Sequence, residues 1–332
     1  MTPQSRIPVL VCVDVEPDEP FVDRNSPLPW TGFEAAAAIL RQIRARAARV
    51  TGAPVRFNWF LRMDPQIAET YGTAEWAAGR YAQTWREFER EGDELGLHAH
   101  AYRWIADAGY WLVDHGNQEW VENCISVSFE AYRRAFGRNC LSFRFGDRWL
   151  SNQTVALLER LGARFELTVE PGFAAALSLR AKGRPFTGSI PDYRRAPRAP
   201  YRPSLADFRV PDPARKAGLW MIPLSTAPAV HPYSRRRKLL LAFTRPSALR
   251  PVNLIPHFNL DPDFFPKVLD HHLRSARSAY LAIGARSDVF DRPGDAERVI
   301  RNFETFLNRP EAPRFVFTTP AGALEMLQSA AP

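Results

Sequence analysis

Short apolar runs alternate with longer segments of helical periodicity along most of the chain. The first run, Val9 to Val15, is apolar at most positions, as in a strand buried on both faces, and the segment Phe33 to Val50 is an alanine- and arginine-rich helix. The same alternation predicts strands at 55–61, 94–100, 142–145, 164–169, 219–223, 252–256, 280–283 and 315–319. It predicts further helices at 73–91, 119–136, 152–161, 262–277, 295–307 and 320–329. This alternation is typical of a parallel sheet, either closed as a barrel or open and doubly wound.

Two features favour a barrel over an open sheet. The alternation continues through about seven strand–helix units with no linker at a domain boundary. In addition, no GxGxxG or GxxxxGK[ST] phosphate-binding loop follows a predicted strand. A stretch rich in proline and arginine, Leu177 to Lys216, lacks periodicity and is interpreted as long surface loops over one face of the barrel. The sequence therefore predicts one α/β barrel domain over residues 1–332.

Composition narrows the class of protein further. The 332 residues are 45% hydrophobic and 24% charged, which excludes a disordered or fibrous chain. The three cysteines are scattered without CxxC spacing, which excludes a disulfide framework and a thiolate zinc site. The apolar run Ile7 to Val13 is too short to span a membrane, and no secretory signal precedes it. We therefore expect a cytoplasmic protein without a transmembrane segment.

The net charge of +8 is carried mostly by arginine, since the chain has only four lysines. A basic chain is compatible with nucleic acid, anionic lipid or phosphorylated sugar partners. The arginines are spread along the chain and no nucleic-acid motif is present, so we expect no nucleic-acid partner. One local cluster, Arg235–Lys238 ahead of Leu239–Leu241, is either a peripheral contact for an anionic membrane or a phosphate, or the solvated start of a helix.

Polar side chains follow several predicted strands, at the ends where the loops of a parallel α/β fold converge. Asp14 and Glu16 end the first strand, and strand alternation points both carboxylates in the same direction. Two carboxylates at the end of a buried strand must be paired, hydrogen-bonded or metal-bound. The pair is therefore either part of a functional site or a cluster of loop and helix-cap acids.

Two histidines, His98 and His100, end the third predicted strand with both imidazoles on one face. Two neutral imidazoles in this arrangement can chelate a first-row divalent ion, which a carboxylate and water complete. A lone histidine is more often structural, but the upstream carboxylates favour a metal. Arg144, at the end of the next strand, either pairs with a catalytic carboxylate and keeps it ionised, or forms an ordinary salt bridge.

Taken in order, these segments resemble the polysaccharide deacetylase (NodB-homology) family. The resemblance rests on Val13–Glu16, Glu94–His100, Phe143–Gly146 and Phe165–Thr168, and Ala199–Ser204 and Leu219–Pro223 are similar to the family's middle region. No single motif is specific, whereas the ordered series is fairly specific and runs from about Pro8 to the C-terminal helix. It implies a distorted (β/α)7 TIM-like barrel, one divalent metal, most often Zn²⁺, and hydrolysis of an N- or O-acetyl group on a sugar.

The resemblance also implies roles for individual residues. Asp14 would be the catalytic base, Glu16 and His98 would bind the metal, and Arg144 would orient the base. The family spaces its two metal histidines four residues apart, but Tyr102 occupies the later place here. His100 is therefore expected to be the other metal ligand.

A second departure concerns the proton donor. Arg286 stands about where the family has a late histidine that acts as general acid, and an arginine stays protonated near neutral pH. His257 is the nearest replacement in the sequence. Tyr102, Trp149 and Arg286 are expected to contact the substrate, the tryptophan by stacking on a sugar ring unless it is simply buried.

The leading hypothesis is therefore a metal-dependent hydrolase that removes an acetyl group from an acetylated sugar or glycan precursor. The alternative is a catalytically inactive member of the same fold that binds carbohydrate, which the altered histidine spacing and Arg286 favour. The sequence leaves open the sugar, the acyl group and the oligomeric state. It also leaves open which of the carboxylates Asp14, Glu16 and Asp18 binds the metal.

Overall fold

The computed structural model describes residues 6–27, 29–177, 185–230, 233–274 and 280–329. In chain order the strands are β1 Ile7–Val15, β2 Asn58–Arg62, β3 Glu94–Ala99, β4 Tyr102–Ile105, β5 Tyr110–Asp114, β6 Ser142–Phe145, β7 Phe165–Glu166, β8 Phe186–Thr187, β9 Trp220–Met221, β10 Ala227–Ala229, β11 Val252–Leu254, β12 Leu281–Arg286 and β13 Phe315–Phe317. The helices are α1 Thr31–Thr51, α2 Pro65–Tyr71, α3 Trp76–Arg80, α4 Ala82–Arg90, α5 Gln118–Phe136, α6 Asn152–Arg160, α7 Arg235–Thr244, α8 Phe265–Arg274, α9 Asp295–Leu307 and α10 Pro320–Ser329. None of the described helices is long and apolar enough to cross a membrane.

Eight of the strands form a central sheet in which every pairing is parallel. Seven follow in the order β12, β1, β2, β3, β6, β7 and β9, and β13 pairs with the beginning of β1. Beyond β9 the chain reaches β12, where the N–H of Ser225 donates to the carbonyl of Ala282 (3.1 Å) and its Oγ accepts from the N–H of Ala282 (2.9 Å). The sheet therefore curls into a distorted barrel, and the predicted α/β barrel is confirmed.

The alternation of side chains in β1 explains how its polar end reaches the barrel interior. Its odd-numbered valines belong to the large core that also includes apolar side chains of α1, whereas Leu10 and Cys12 pack with Phe60, Leu167 and Ile222 from other strands of the barrel. Asp14 and Glu16 continue the second set at the carboxyl end of the strand. The sequence prediction that both carboxylates share one face is consistent with this packing.

Most predicted elements are present, and the exceptions have local causes. Strand β6 and helices α9 and α10 begin and end at the predicted residues. The helix predicted at 73–91 is instead the two short helices α3 and α4. The prediction missed α2, which Asp64 caps by accepting a hydrogen bond from the N–H of Gln66 (3.1 Å), with Pro65 in its first turn.

Three further differences involve the loops at the ends of the strands. The strand predicted at 252–256 is β11, which pairs antiparallel with β10 outside the central sheet. The hairpin β4–β5 was not predicted and pairs with β8 in a separate three-stranded sheet. The helix predicted at 262–277 is observed as α8, and residues 275–277 lie outside the described part of the chain.

The stretch 177–216 consists mostly of loops, as predicted, and residues 178–184 lie outside the described part of the chain. The remainder packs closely on the barrel. Tyr193 and Tyr201 are both buried, and their hydroxyl groups donate to the carbonyls of Arg148 (2.8 Å) and Phe208 (2.9 Å). These loops therefore contribute to the core as well as covering the surface.

Candidate metal centre and active-site cavity

The carboxyl ends of β1, β3, β6 and β12 surround a cavity of ≈ 400 Å³. It is lined by eight of the nine side chains that the sequence singled out, from five separate parts of the chain: Asp14, Glu16, His98, His100, Tyr102, Arg144, His257 and Arg286. The ninth, Trp149, is not among the lining residues. It is buried and stacks on His115, with ring centroids 5.5 Å apart.

His98 and His100 are both buried, and their Nε2 atoms face each other. Nδ1 of His98 lies 3.1 Å from the carbonyl oxygen of Arg144, and Nδ1 of His100 lies 3.2 Å from Oδ2 of Asp147. Both acceptors fix the ring proton on Nδ1 and leave the lone pair on Nε2. The two Nε2 atoms are 3.0 Å apart. Two lone pairs at this separation require either a shared proton or a cation between them.

Glu16 completes a set of three converging ligand atoms. Its carboxylate lies 3.4 Å from Nε2 of His100 and 3.9 Å from Nε2 of His98, and one donor atom from each residue falls within 4.8 Å of the others. Tetrahedral zinc with nitrogen ligands at ~2.1 Å holds its ligand atoms ~3.4 Å apart. The three side chains therefore fit one divalent ion by donor type and by spacing.

The turn after β6 packs against the imidazole of His100 and holds it in place. A Cβ on Gly146 would lie 2.1 Å from Cε1 of His100, so the imidazole packs directly against the glycine backbone. Asp147 and Arg148 follow with φ values of 54° and 60°, a left-handed conformation that is costly for residues other than glycine. The strained turn brings the Asp147 carboxylate to His100, and this hydrogen bond, against the opposing effect of burial, lowers the pKa of Asp147 to about 2.

Asp14 is held by an arginine on the neighbouring part of the barrel. Nε of Arg144 lies 2.8 Å from Oδ1 of Asp14, and its Nη1 donates to the carbonyl of Leu167 (2.9 Å). Both side chains are mostly buried. Because the guanidinium keeps its charge at all physiological pH values, a permanent cation lies against the Asp14 carboxylate. The predicted pairing of Arg144 with a carboxylate is present.

Sequence reasoning missed a second arginine–carboxylate pair at the end of β2. Arg62 is fully buried, donates to Asp64 and lies 3.8 Å from the carboxylate of Glu16. Asp64 also accepts from the backbone N–H of His100 (3.1 Å). The polar spacing of Arg62 and Asp64 at a strand end was the available signal, and it matches the pattern of Asp14 and Glu16.

Arg286 lies beside the proposed ligand Glu16. Its Nε is 3.3 Å from Oε1 of Glu16, and the guanidinium also donates two hydrogen bonds of 3.0 Å to Asp288. Although burial opposes ionisation, Arg286 and the two imidazoles hold the pKa of Glu16 well below its ordinary value. Strand β12 therefore contributes a permanent positive charge to the cavity and no imidazole.

An imidazole nevertheless reaches this strand from the neighbouring segment. A Cβ on Gly284 would lie 2.8 Å from Cδ2 of His257, so the His257 ring occupies space that a side chain on β12 would otherwise fill. Nδ1 of His257 accepts from the N–H of Asn259 (3.4 Å), and burial lowers the pKa of His257 to about 3. The ring is therefore neutral near pH 7, with its proton on Nε2.

Glu170 is a cavity residue that the sequence did not single out. It follows β7, is 3% exposed, and lies 3.5 Å from Nε of Arg148. Burial raises the pKa of Glu170 to about 7 despite the nearby arginines. Within the segment Phe165–Thr168, which carries part of the family resemblance, Glu166 and Thr168 are structural, since Glu166 accepts from the N–H of Thr168 and the hydroxyl of Thr168 accepts from the N–H of Phe145.

No protein-family model matches the chain, and no curated protein is significantly similar to it in sequence. Solved structures are similar in fold. A putative polysaccharide deacetylase from Mycobacterium smegmatis aligns at 13% identity with a TM-score of 0.52, over 100% of this chain and 94% of that chain. A putative glycoside hydrolase/deacetylase from Parabacteroides distasonis aligns at 13% identity and a TM-score of 0.54, over 98% and 72%.

A third similar structure, Puue allantoinase, aligns at 13% identity with a TM-score of 0.50, over 100% of this chain and 93% of that chain. At this level of identity the similarity shows the fold alone. The chain has the barrel fold of the polysaccharide deacetylases, which confirms the fold that the sequence resemblance implied.

Proposed function

We propose that the protein is a metal-dependent hydrolase that removes an acetyl group from an amino sugar or sugar ester. The observation that carries this proposal is the convergence of two imidazole Nε2 atoms and the Glu16 carboxylate, beside an aspartate held by Arg144. A buried pair of imidazoles with fixed Nδ1 partners is an arrangement typical of metal ligands. The shared fold with polysaccharide deacetylases supports the choice of an acetylated carbohydrate as substrate.

Glu16, His98 and His100 would hold the ion. A divalent ion at this position supplies Lewis-acid chemistry, because it polarises a carbonyl oxygen and makes water more acidic. Asp147 and the carbonyl of Arg144 orient the two imidazoles from the opposite side. Together they keep both Nε2 lone pairs directed at one point.

Asp14 is the proposed general base. It lines the cavity, belongs to the same strand face as Glu16, and is paired with the guanidinium of Arg144. Its carboxylate lies 3.8 Å from Nδ1 of His98, which places the base next to the proposed ligand set. From this position Asp14 accepts the proton of the water that attacks the acetyl carbonyl.

Glu170 is the proposed proton donor to the leaving amine or alcohol. Arg286 does not release its proton at physiological pH, and His257 is a neutral ring there. Glu170 lies in the same cavity, and its pKa of about 7 keeps a substantial protonated fraction near neutral pH. The proton that the late histidine supplies in the family would therefore come from a carboxyl group on another strand end.

Acetate release from a panel of N-acetylated and O-acetylated amino sugars tests the proposal, using zinc-loaded protein. We expect Asp14→Asn to lower kcat/KM by about a hundredfold or more, the usual cost of losing a general base. Asp107→Asn, on the exposed turn of the β4–β5 hairpin, is the matched control and should keep the wild-type rate. Equal rates for wild type and Asp14→Asn would refute the assignment.

The role of Glu170 has its own test. If Glu170 is the acid, Glu170→Gln lowers kcat and removes the alkaline limb of the pH–rate profile near pH 7. A variant with lower activity but an unchanged profile would assign Glu170 to positioning alone.

One observation favours the alternative, a non-catalytic carbohydrate-binding protein. The Arg286 guanidinium lies 3.3 Å from Glu16 and adds a fixed positive charge beside the proposed cation site. The alternative requires glycan binding that a chelator does not change, together with no bound zinc after dialysis. About one equivalent of zinc, lost in His98→Ala and His100→Ala, would contradict it.

A further inference from the structure

Helix α7 lies outside the strands of the barrel and has an exposed apolar face. It lies between β10 and β11, and none of its residues is buried. Leu239 and Leu240 are 65% and 61% exposed, and Phe243 is 83% exposed. Their spacings of three and four residues place them on one side of the helix, here called the apolar face. One exposed leucine is ordinary, whereas three large apolar side chains on one side indicate an interaction surface.

The first turn of the same helix is strongly basic. The basic turn, Arg235–Lys238, contains four consecutive cations, all exposed, and no acidic residue follows in that turn. The amino end of a helix carries the positive end of its dipole, so these charges are unfavourable where they are placed. Within the described residues none of the four forms an ion pair with a carboxylate. Arg237 lies over the ring of Tyr233, with Cζ 5.0 Å from the ring centroid. In the described part of the chain the basic turn therefore meets an aromatic ring and no carboxylate.

The charge extends beyond the basic turn. Residues 234–250 contain six cationic side chains and no acidic one, and both Arg245 and Arg250 are exposed. A surface of this kind is complementary to a dense array of negative charge. The positive charge of this segment therefore favours a negatively charged partner, and the apolar face favours a partner with an apolar region.

We propose that α7 docks the protein on an anionic membrane surface. The basic turn binds anionic lipid headgroups, and the apolar face enters the boundary between headgroups and acyl chains. A nucleic acid would satisfy the basic turn but would leave Leu239, Leu240 and Phe243 exposed. A membrane surface combines negative charge with an apolar interior and therefore accommodates both halves of the helix.

The position of α7 relates the docking to the cavity. Strands β10 and β11, which flank α7 along the chain, pair Ala227 with Leu254 and Ala229 with Val252. Asn253, Leu254 and Ile255 line the cavity. Docking therefore places one wall of the cavity close to the lipid headgroups. If the proposed hydrolase function is correct, its substrate is a sugar carried at the membrane surface, but the docking itself does not depend on that function.

Co-sedimentation with lipid vesicles tests the proposal without any substrate. Vesicles of phosphatidylcholine with about 30% phosphatidylglycerol are compared with pure phosphatidylcholine. The charge variant replaces Arg235, Arg236, Arg237 and Lys238 by Gln, and the apolar variant replaces Leu239, Leu240 and Phe243 by Ser. The matched control replaces four exposed arginines elsewhere in the chain by Gln, namely Arg86, Arg160, Arg164 and Arg301. None of the altered side chains is buried, so all variants should keep the wild-type melting curve.

We expect wild type to bind the anionic vesicles about tenfold or more tightly than the neutral ones, and each α7 variant to lose about tenfold or more of that affinity. The control variant should remain within about twofold of wild type. A fluorophore on Phe243→Cys, in a protein whose three native cysteines are buried, should shift to the blue on binding. Three results would each overturn the proposal. The wild type binds anionic vesicles no better than neutral ones, the apolar variant binds as tightly as wild type, or the control variant loses as much affinity as the charge variant.

The hydrolase assay separates this proposal from the previous one. Acetate release from a water-soluble substrate should be the same for wild type and both α7 variants. Loss of vesicle binding with intact turnover supports docking. Vesicle binding by a protein that has no turnover would leave the docking established and refute only the hydrolase.

Discussion

The imidazole of His100 rests on the backbone of Gly146, with no room for even a methyl group between them. The glycine follows β6, and His100 follows β3, so the contact joins the ends of two adjacent strands. The ring is held on its other edge by Asp147. This contact fixes where one of the proposed ligand atoms lies.

Gly146→Ala should therefore disturb the proposed metal centre without altering a proposed ligand. The added Cβ would lie 2.1 Å from the His100 ring, which must move. We expect zinc affinity to fall by about tenfold or more, as for other losses of ligand orientation. Competition with a chromophoric chelator measures it. Gly79→Ala is the control, since a Cβ there meets no atom within 4 Å, and equal affinity in both variants would contradict the proposed role of the contact.

Asp147→Asn should weaken the site through the hydrogen bond to Nδ1 of His100. The amide can present its NH₂ group to this nitrogen and favour the wrong tautomer, with the proton on Nε2. We expect zinc affinity to fall by about 10–100-fold while the fold is retained, because asparagine tolerates the positive φ of this position. Zinc titration of the folded variant gives the answer. An unchanged affinity would mean that Asp147 has no role in orienting His100.

Glu166→Gln should change how stability depends on pH. Glu166 is fully buried, and burial raises its pKa from 4.5 to about 7. The folded protein therefore keeps this proton more tightly than the unfolded chain, so wild-type stability falls as pH rises from 4.5 through about 7. The loss is on the order of 3 kcal/mol. Glutamine removes this dependence.

Thermal unfolding at about pH 5 and about pH 8.5 measures the effect. The difference in Tm, variant minus wild type, should become more positive by several degrees at the higher pH. The Gln side chain can still accept the hydrogen bond from the N–H of Thr168, so the variant should fold. A difference that is the same at both pH values would show that Glu166 does not titrate in this range.

Gly284→Ala should expose His257. The new Cβ would lie 2.8 Å from Cδ2 of the ring, which must move away from β12. A more exposed imidazole is easier to protonate, so the pKa of His257 should rise from about 3 toward 6.5. Proton NMR titration of the histidine signals, with His257→Gln to assign them, follows the change. An unchanged pKa of His257 would show that Gly284 is not needed to hold the imidazole in its buried position.

Much of the site could be predicted because side-chain alternation converts spacing into geometry. Asp14 with Glu16, and His98 with His100, are each two residues apart on strands that begin in the core, so their common face follows from the strand period. Arg144 could be recognised because it lies at the end of the next predicted strand. The barrel followed from the alternation of strands and helices, which depends on local sequence alone.

Other features depend on the closed barrel and carried a weaker local signal. Glu170 lies beyond the two-residue strand β7, so its entry into the cavity depends on how the following loop turns. His257 faces β12 only because Gly284 lacks a side chain. Trp149 was expected to meet substrate, but the turn at Asp147 and Arg148 directs it to His115 in the core.

The placement of β1 has a consequence for biosynthesis. Its residues are made long before those of β12, which pairs with one of its edges. Asp14 pairs in register with Arg286, which lies 272 positions later in the chain. During translation the edge of the apolar strand β1 that pairs with β12 stays unpaired until Leu281 to Arg286 have left the ribosome. The nascent chain therefore lacks a complete cavity at the strand ends until β12 has been made and has paired with β1.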